Sequence, residues 1–147
     1  MPTYTIKYSN IKLSNNQKKR IAESITKVHH LMTGANKFFA QVIFQQNKSK
    51  SHFMGGKVVK TKEIFLNGQI RGGRSPKVKK KLIKGLELSI RDNTNLSKDN
   101  IWVYLEELIP DQMIEYGEIL PKSGNEKRWF KTLSQSLKNR LKKIDNN

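Results

Sequence analysis

One pattern occurs twice along this chain, 61 residues apart. Ser14 offers a helix N-cap, and Ser75-Pro76 offers another, with proline at a first helical position where no hydrogen bond is lost. Ile21, Ile25, Val28 and Met32 line one face of the first predicted helix, which Gly34 closes as a left-handed residue. Val78, Leu82, Leu86 and Ile90 line the matching face of the second. Ser14 maps onto Ser75, Ile21 onto Leu82, Ile25 onto Leu86, Val42 onto Val103 and Phe44 onto Leu105. Each helix lies between two predicted strands. Residues 3–8 alternate Tyr4, Ile6 and Tyr8 with Thr3, Thr5 and Lys7, and residues 38–45 are aromatic and β-branched. In the second half the strands are 63–70, with Gly68 inside, and 101–105.

A tandem β-α-β chain with pseudo-two-fold symmetry follows. The predicted class is α+β (α/β): a four-stranded sheet with two helices on one face and right-handed crossovers. The alternative is coincidence between two ordinary amphipathic helices. The chain is read as a single domain over residues 1–147, with repeat halves 2–46 and 63–106 and a C-terminal extension 110–147. Residues 47–56 read as a loop or short hairpin and 110–116 as one or two helical turns. Residues 126–144 read as a basic amphipathic helix carrying Trp129, Phe130, Leu133, Leu137 and Leu141, docked on its own subunit or on a neighbour.

Composition narrows the function classes. The chain has no cysteine, which excludes disulfides, thiol nucleophiles and thiolate metal sites. No apolar run approaches the roughly 18 residues of a membrane span. The N-terminus lacks the basic-then-apolar order of a secretory signal, so a cytoplasmic protein is expected. Lys and Arg number 29 against 12 Asp and Glu, a formal charge of +17. That charge fits nucleic acid, an anionic surface or an acidic small molecule, and it equally fits solvated helix faces at Lys18–Arg20, Lys79–Lys81 and residues 138–143.

Three groups of residues carry chemistry. Removal of Met1 would leave Pro2 with a secondary amine, whose reference pKa of about 7.7–8.0 lies near neutrality. Nearby cations and burial favour the neutral base, and a carboxylate favours the charged acid. A retained Met1 makes Pro2 an amide with no basicity. Next, Gly68-Gln69-Ile70-Arg71-Gly72-Gly73-Arg74-Ser75-Pro76 sets two arginines three residues apart between a strand and a helix start. A tight glycine turn lets both guanidiniums converge on a carboxylate, with phosphate as the competing ligand and a solvated turn as the plain reading. Third, Tyr104 and Glu115, aimed at one spot, orient and deprotonate a water. In isolation they are a strand tyrosine and a surface glutamate. His29 and His30 point about 100° apart on a helix and do not share a metal, and no metal site is read in the sequence.

Taken together these residues resemble the tautomerase superfamily, and within it the cis-3-chloroacrylic acid dehalogenase branch. The resemblance is carried by Pro2, then Ile25-Thr26-Lys27-Val28-His29, Leu31-Met32-Thr33-Gly34 and Ala40-Gln41-Val42-Ile43-Phe44. It continues through residues 68–75, Ile101-Trp102-Val103-Tyr104, Gln112-Met113-Ile114-Glu115-Tyr116-Gly117, Leu120-Pro121 and Trp129-Phe130. It implies a fused pair of β-α-β units assembled as a homotrimer. It assigns Pro2 as acid or base at carbon, His29, Arg71 and Arg74 to the substrate carboxylate, and Tyr104 and Glu115 to activation of water. The implied reaction is hydration of a cis-3-haloacrylate to a halohydrin that collapses to malonate semialdehyde and halide, with no metal or organic cofactor. A neutral Pro2 would instead abstract a proton from a 2-keto acid such as phenylpyruvate, giving keto–enol tautomerisation. The lysine-rich loop 47–62, outside Phe53-Met54-Gly55-Gly56, and the basic tail after Phe130 depart from the family pattern and would shape the entrance.

Two other readings compete. A non-enzymatic basic module for nucleic acid or another polyanion accounts for the charge but leaves the six-residue set unexplained, so a nucleic-acid partner is not expected. A catalytically silent relative would keep the fold and bind a partner.

Overall fold

The computed structural model describes residues 2–145, so the expected loss of Met1 and the last two residues of the extension lie outside it. Strand β1 (Thr3–Ser9) leads into helix α1 (Asn15–Thr33) and returns through β2 (Gln41–Gln46). A hairpin of β3 (Phe53–Met54) and β4 (Lys57–Val58) follows. The second unit is β5 (Glu63–Arg71), α2 (Pro76–Thr94) and β6 (Ile101–Leu108). The sheet runs in the order β2-β1-β5-β6, with β1 and β5 antiparallel at its centre and each closing strand parallel to its opener.

The caps explain where the helices stop. Ser14 accepts from the Gln17 amide while the Gln17 side chain accepts from the Ser14 amide, a reciprocal capping box. Ser75 accepts from Val78, with Pro76 at the first helical position. Gly34 and Asn95 close the two helices in the left-handed conformation, at φ 70° and 57°. The 61-residue offset holds for both helices, for the closing strands and for the short 3₁₀ turns at Lys37–Phe39 and Lys98–Asn100. It fails in the opening strands. Tyr4, Ile6 and Tyr8 face the helices from β1, and Ile64, Leu66 and Ile70 do so from β5. Inward positions are even in both, so an odd offset cannot relate them. The connection between opening strand and helix absorbs the odd residue.

These side chains pack with Ile21 and Ile25 of α1 and Leu82, Leu86 and Ile90 of α2 in the main core. Two of the contacts between the helices are exchanged by the pseudo-two-fold. Ser24 donates to Ser89 at 2.9 Å, and Val28 fits against Gly85, where an added Cβ would stand 2.6 Å from Val28 Cγ1. Valine cannot easily turn aside on a helix, because its χ1 is stiff. Gly85→Val is therefore expected to cost about 1–3 kcal/mol through overpacking. Val28→Ala in the same chain should recover part of that loss, read as melting temperature.

Three sequence expectations are corrected here. The strand predicted from residue 38 begins at Gln41, because Phe38 and Phe39 form the 3₁₀ turn and turn into a second apolar cluster. Residues 110–116 hold a single 3₁₀ turn, Pro110–Gln112, and then enter a hairpin of β7 (Ile114–Glu115) and β8 (Glu118–Ile119). The segment 126–144 is two helices, α3 (Glu126–Thr132) and α4 (Gln135–Asp145), broken where Leu133 turns extended. This arm docks on its own chain. Trp129, Leu133 and Leu141 pack with Phe38, Phe39 and Leu120, and the Phe38 amide donates to Asp145 Oδ1 at 3.0 Å. Of the two readings of residues 47–56, the hairpin holds: its turn is Gly55-Gly56, both at positive φ.

Candidate active site

The site lies at the end of the sheet where β1 begins and β5 finishes. Thr3 pairs with both Gln41 and Gln69, so Pro2 sits beside the last residues of β5. Pro2 is buried, and its carbonyl accepts from the Gln41 amide at 3.0 Å. Helix α1 runs back against β1, which brings its last turn to this same end.

His29 is buried in that turn, its Nδ1 2.6 Å from the Tyr4 hydroxyl. Burial pushes the His29 pKa down to about 3, and the neighbouring cations, led by Arg74, push the same way. Burial also raises the Tyr4 pKa, so the phenol stays protonated. Tyr4 O–H then donates to Nδ1, and a neutral imidazole carries its own proton on Nε2. His30, one residue on, turns away, with its Nδ1 2.8 Å from the Ala35 carbonyl.

Arg71 ends β5 and is only 2% exposed. Gly72 bonds to the Leu108 carbonyl at 2.8 Å, and Gly73 takes φ 98°, which swings the chain so that Arg74 follows on the same side. Glu107 braces this turn: it accepts from Lys79 at 2.6 Å and from the Arg74 amide at 3.4 Å, and the Lys79 contact holds its carboxyl below the usual range. Arg71 Nη1 donates to the Pro121 carbonyl at 2.8 Å, and Nη2 bonds closely to Glu126 Oε1. Arg74 Nη1 donates to the Thr33 carbonyl at 3.2 Å. Burial lowers the Arg74 pKa, Arg71 adds to that, and Glu126 opposes it. His29, Arg71, Arg74 and Glu126 thus form one electrostatic neighbourhood.

A cavity of about 650 Å³ opens beside it, lined by Arg74, Glu126, Lys127, Lys131, Phe39 and Phe130 among others. Of the six residues singled out in the sequence, Arg74 lines this cavity. Pro2, His29 and Arg71 are buried and do not line it. Glu115 is half-buried on β7, in the segment whose Tyr116 donates to the Phe38 carbonyl at 2.8 Å. Tyr104 lies elsewhere. It sits on the sheet face turned away from the helices, 52% exposed, with its ring edge-on to Phe65 at 5.0 Å. Among the described residues, no group of three or more His, Cys, Asp and Glu is arranged to hold a metal ion. Sequence reasoning missed Glu126. Its signal was available, since Glu126 is the only acid between residues 122 and 144.

A duplicated β-α-β sheet with a buried proline at its first strand and an arginine pair beyond its third defines a tautomerase fold. Residues 1–133 match the family described as "Putative oxalocrotonate tautomerase enzyme", and the chain belongs to that family. Its structure is similar to that of N1, a member of the cis-3-chloroacrylic acid dehalogenase family, at TM-score 0.90 and 28% identity, covering 96% of this chain and 99% of that one. It is similar also to native Ps01740, at TM-score 0.72 and 25% identity over 77% of this chain and 99% of that one. A symmetric trimer of wild-type fused 4-OT shares the fold at TM-score 0.72 and 14% identity, covering 80% and 94%. No curated protein matches the sequence. Members of this superfamily are generally enzymes, and no helix among the described residues is long and apolar enough to cross a membrane.

Proposed function

We propose that this chain is a cofactor-independent enzyme acting on small unsaturated or 2-keto carboxylates through acid/base chemistry at Pro2. The observation that carries the reading is the gathering of Arg71, Arg74 and a neutral His29 at the end of the sheet where Pro2 leads into β1, with an open cavity alongside. The arginines and the His29 N–H form the carboxylate end. They stabilise the charge that builds toward an enolate-like state. With Pro2 protonated, Tyr104 and Glu115 take a proton from water as its oxygen bonds to C3, and Pro2 delivers a proton to C2. From a cis-3-haloacrylate this gives a 3-halo-3-hydroxy acid. Loss of halide and a proton then leaves malonate semialdehyde. With Pro2 neutral, the same amine abstracts a proton from a 2-keto acid such as phenylpyruvate and returns it to the enol.

The position of Tyr104 favours an oligomer. It faces away from its own site, on a sheet face that also exposes Ile43 and Trp102. A second copy packed on that face would supply the hydroxyl, as in a homotrimer; fused 4-OT forms a symmetric trimer. The test is a pair of pH–rate profiles on cis-3-chloroacrylate and phenylpyruvate. A rate that falls as pH rises through the proline pKa identifies hydration, and one that rises identifies tautomerisation. No turnover of either acid by a chain lacking Met1 overturns the proposal.

A further inference from the structure

At the far end of β5 from the arginine pair, one carboxylate is buried without a cation. Glu63 is 7% exposed, and no ion pair among the described residues includes it. Its Oε1 accepts from the Thr61 hydroxyl at 2.7 Å and from Asn100 Nδ2 at 3.2 Å. Its Oε2 is enclosed and has no hydrogen-bond partner. A buried carboxylate oxygen with no donor is costly. Lysines 48, 50, 57, 60 and 62 stand in the neighbouring loop, and none of them pairs with it. Glu63 lines a cavity of about 240 Å³ with His52, Phe53, Met54, Phe65 and Trp102. Phe65 and Trp102 are paired residues of β5 and β6 on the sheet face away from the helices. Phe53 and Met54 form β3, and the hairpin that carries them is tied down at both ends. His52 Nδ1 lies 2.9 Å from the Ser9 hydroxyl, and Asn10 Nδ2 donates to the Val59 and Thr61 carbonyls at 2.9 Å.

We propose that this second cavity binds a primary alkylammonium group. An N–H of that group donates to Glu63 Oε2, and its charge meets the carboxylate. Its carbon stem lies against the rings of Phe53, Phe65 and Trp102, whose faces attract a cation. Glu63 is the only acid in the wall, which sets the ligand's charge at one. A quaternary ammonium has no N–H to give Oε2. A hard metal ion takes on the order of six oxygen ligands, and this wall is mostly aromatic. Two sources present the group: a free amine, or the Nζ of a lysine on a second copy packed on the same sheet face. The site is independent of the chemistry at Pro2, since Glu63 and Arg71 are the two ends of β5, about 26 Å apart at an ordinary strand rise.

The test is calorimetric titration of the full chain with n-butylammonium chloride and with 1-butanol, the same stem without the charge. The native chain is expected to bind the amine saturably and the alcohol far more weakly. Glu63→Gln keeps an oxygen for Thr61 and Asn100 and removes the charge. Amine affinity should then fall roughly 10–100-fold, the worth of a charge-assisted hydrogen bond. Phe53→Ala, at an exposed position, should cost about 2–5-fold through its ring and serves if Glu63→Gln does not fold. Light scattering on the same folded samples separates the two sources. A mass unaltered by the amine and by either variant assigns the cavity to a free amine. A mass that drops in the variants assigns it to a lysine of a second copy, whose Nζ then fills the native cavity and leaves the titration flat. Equal affinity for amine and alcohol overturns the inference, as does an amine affinity unchanged in both variants. So does a flat titration when neither variant lowers the mass. None of these outcomes reads turnover, so none of them bears on Pro2.

Discussion

Pro2→Ala is expected to lower turnover of the responsive substrate by about 10²–10⁴-fold, the usual contribution of a positioned acid or base. The fold should survive. The contact that anchors residue 2 is its carbonyl accepting from Gln41, which alanine retains. What alanine lacks is the ring, which makes the amine secondary and limits its rotation. The variant's melting temperature should therefore stay near that of the parent while kcat collapses. Active protein should also have lost Met1, which intact mass reads directly. Full activity in Pro2→Ala, or Met1 present on active enzyme, would falsify the assignment of Pro2.

A second large effect concerns acid stability. The His29 pKa lies at about 3 in the folded chain, against about 6.5 unfolded. Between those values the unfolded chain binds a proton that the folded chain refuses. Stability is thus fully present above about pH 6.5 and is lost as pH falls toward 3. The whole shift corresponds to roughly 4–5 kcal/mol, a large share of the 5–15 kcal/mol of a typical domain. Glu107 and Glu126 also lose stabilising contacts in acid, but their carboxyls are held below the ordinary carboxylate range, so they act lower. From pH 6.5 to 4.5 the His29 contribution amounts to about 2–3 kcal/mol. Urea unfolding at pH 6.5, 5.5 and 4.5 should show it. His29→Gln, whose side-chain carbonyl can still accept from Tyr4, should flatten the slope. An equally steep slope in that variant would count against a buried neutral histidine.

The parts of the fold legible in the sequence are those where local chemistry and packing agree. Ser14, Gly34 and Ser75-Pro76 bound the helices because caps act within a few residues. The duplicated faces at Ile21 and Leu82 were legible for the same reason. Phe38 and Phe39 misled because aromatic residues favour strands, yet these two answer to Trp129 and Leu141, some 90 residues away and invisible to local pattern. The extension was readable as amphipathic, but its break at Leu133 depends on the surface it wraps. In the candidate site, glycine spacing pointed to the Arg71–Arg74 turn, and the structure puts His29 in the same electrostatic neighbourhood. Burial of Arg71 against Glu126 depends on two segments 55 residues apart. The side of the sheet on which Tyr104 falls follows from strand parity, which the sequence contained. That Tyr104 is left exposed there, against Phe65, follows only from the three-dimensional arrangement.

The two halves have also parted company in what they offer. The position matching His29 is Ile90, and the turn matching Phe38 and Phe39 carries Asp99 and Asn100. Lys62 and Glu63 are joined by an ordinary amide, so β5 brings no second terminal amine. Under the proposed function a chain built from doubled parts keeps one workbench, and an irreversible reagent directed at the Pro2 amine is expected to saturate at a single equivalent per polypeptide.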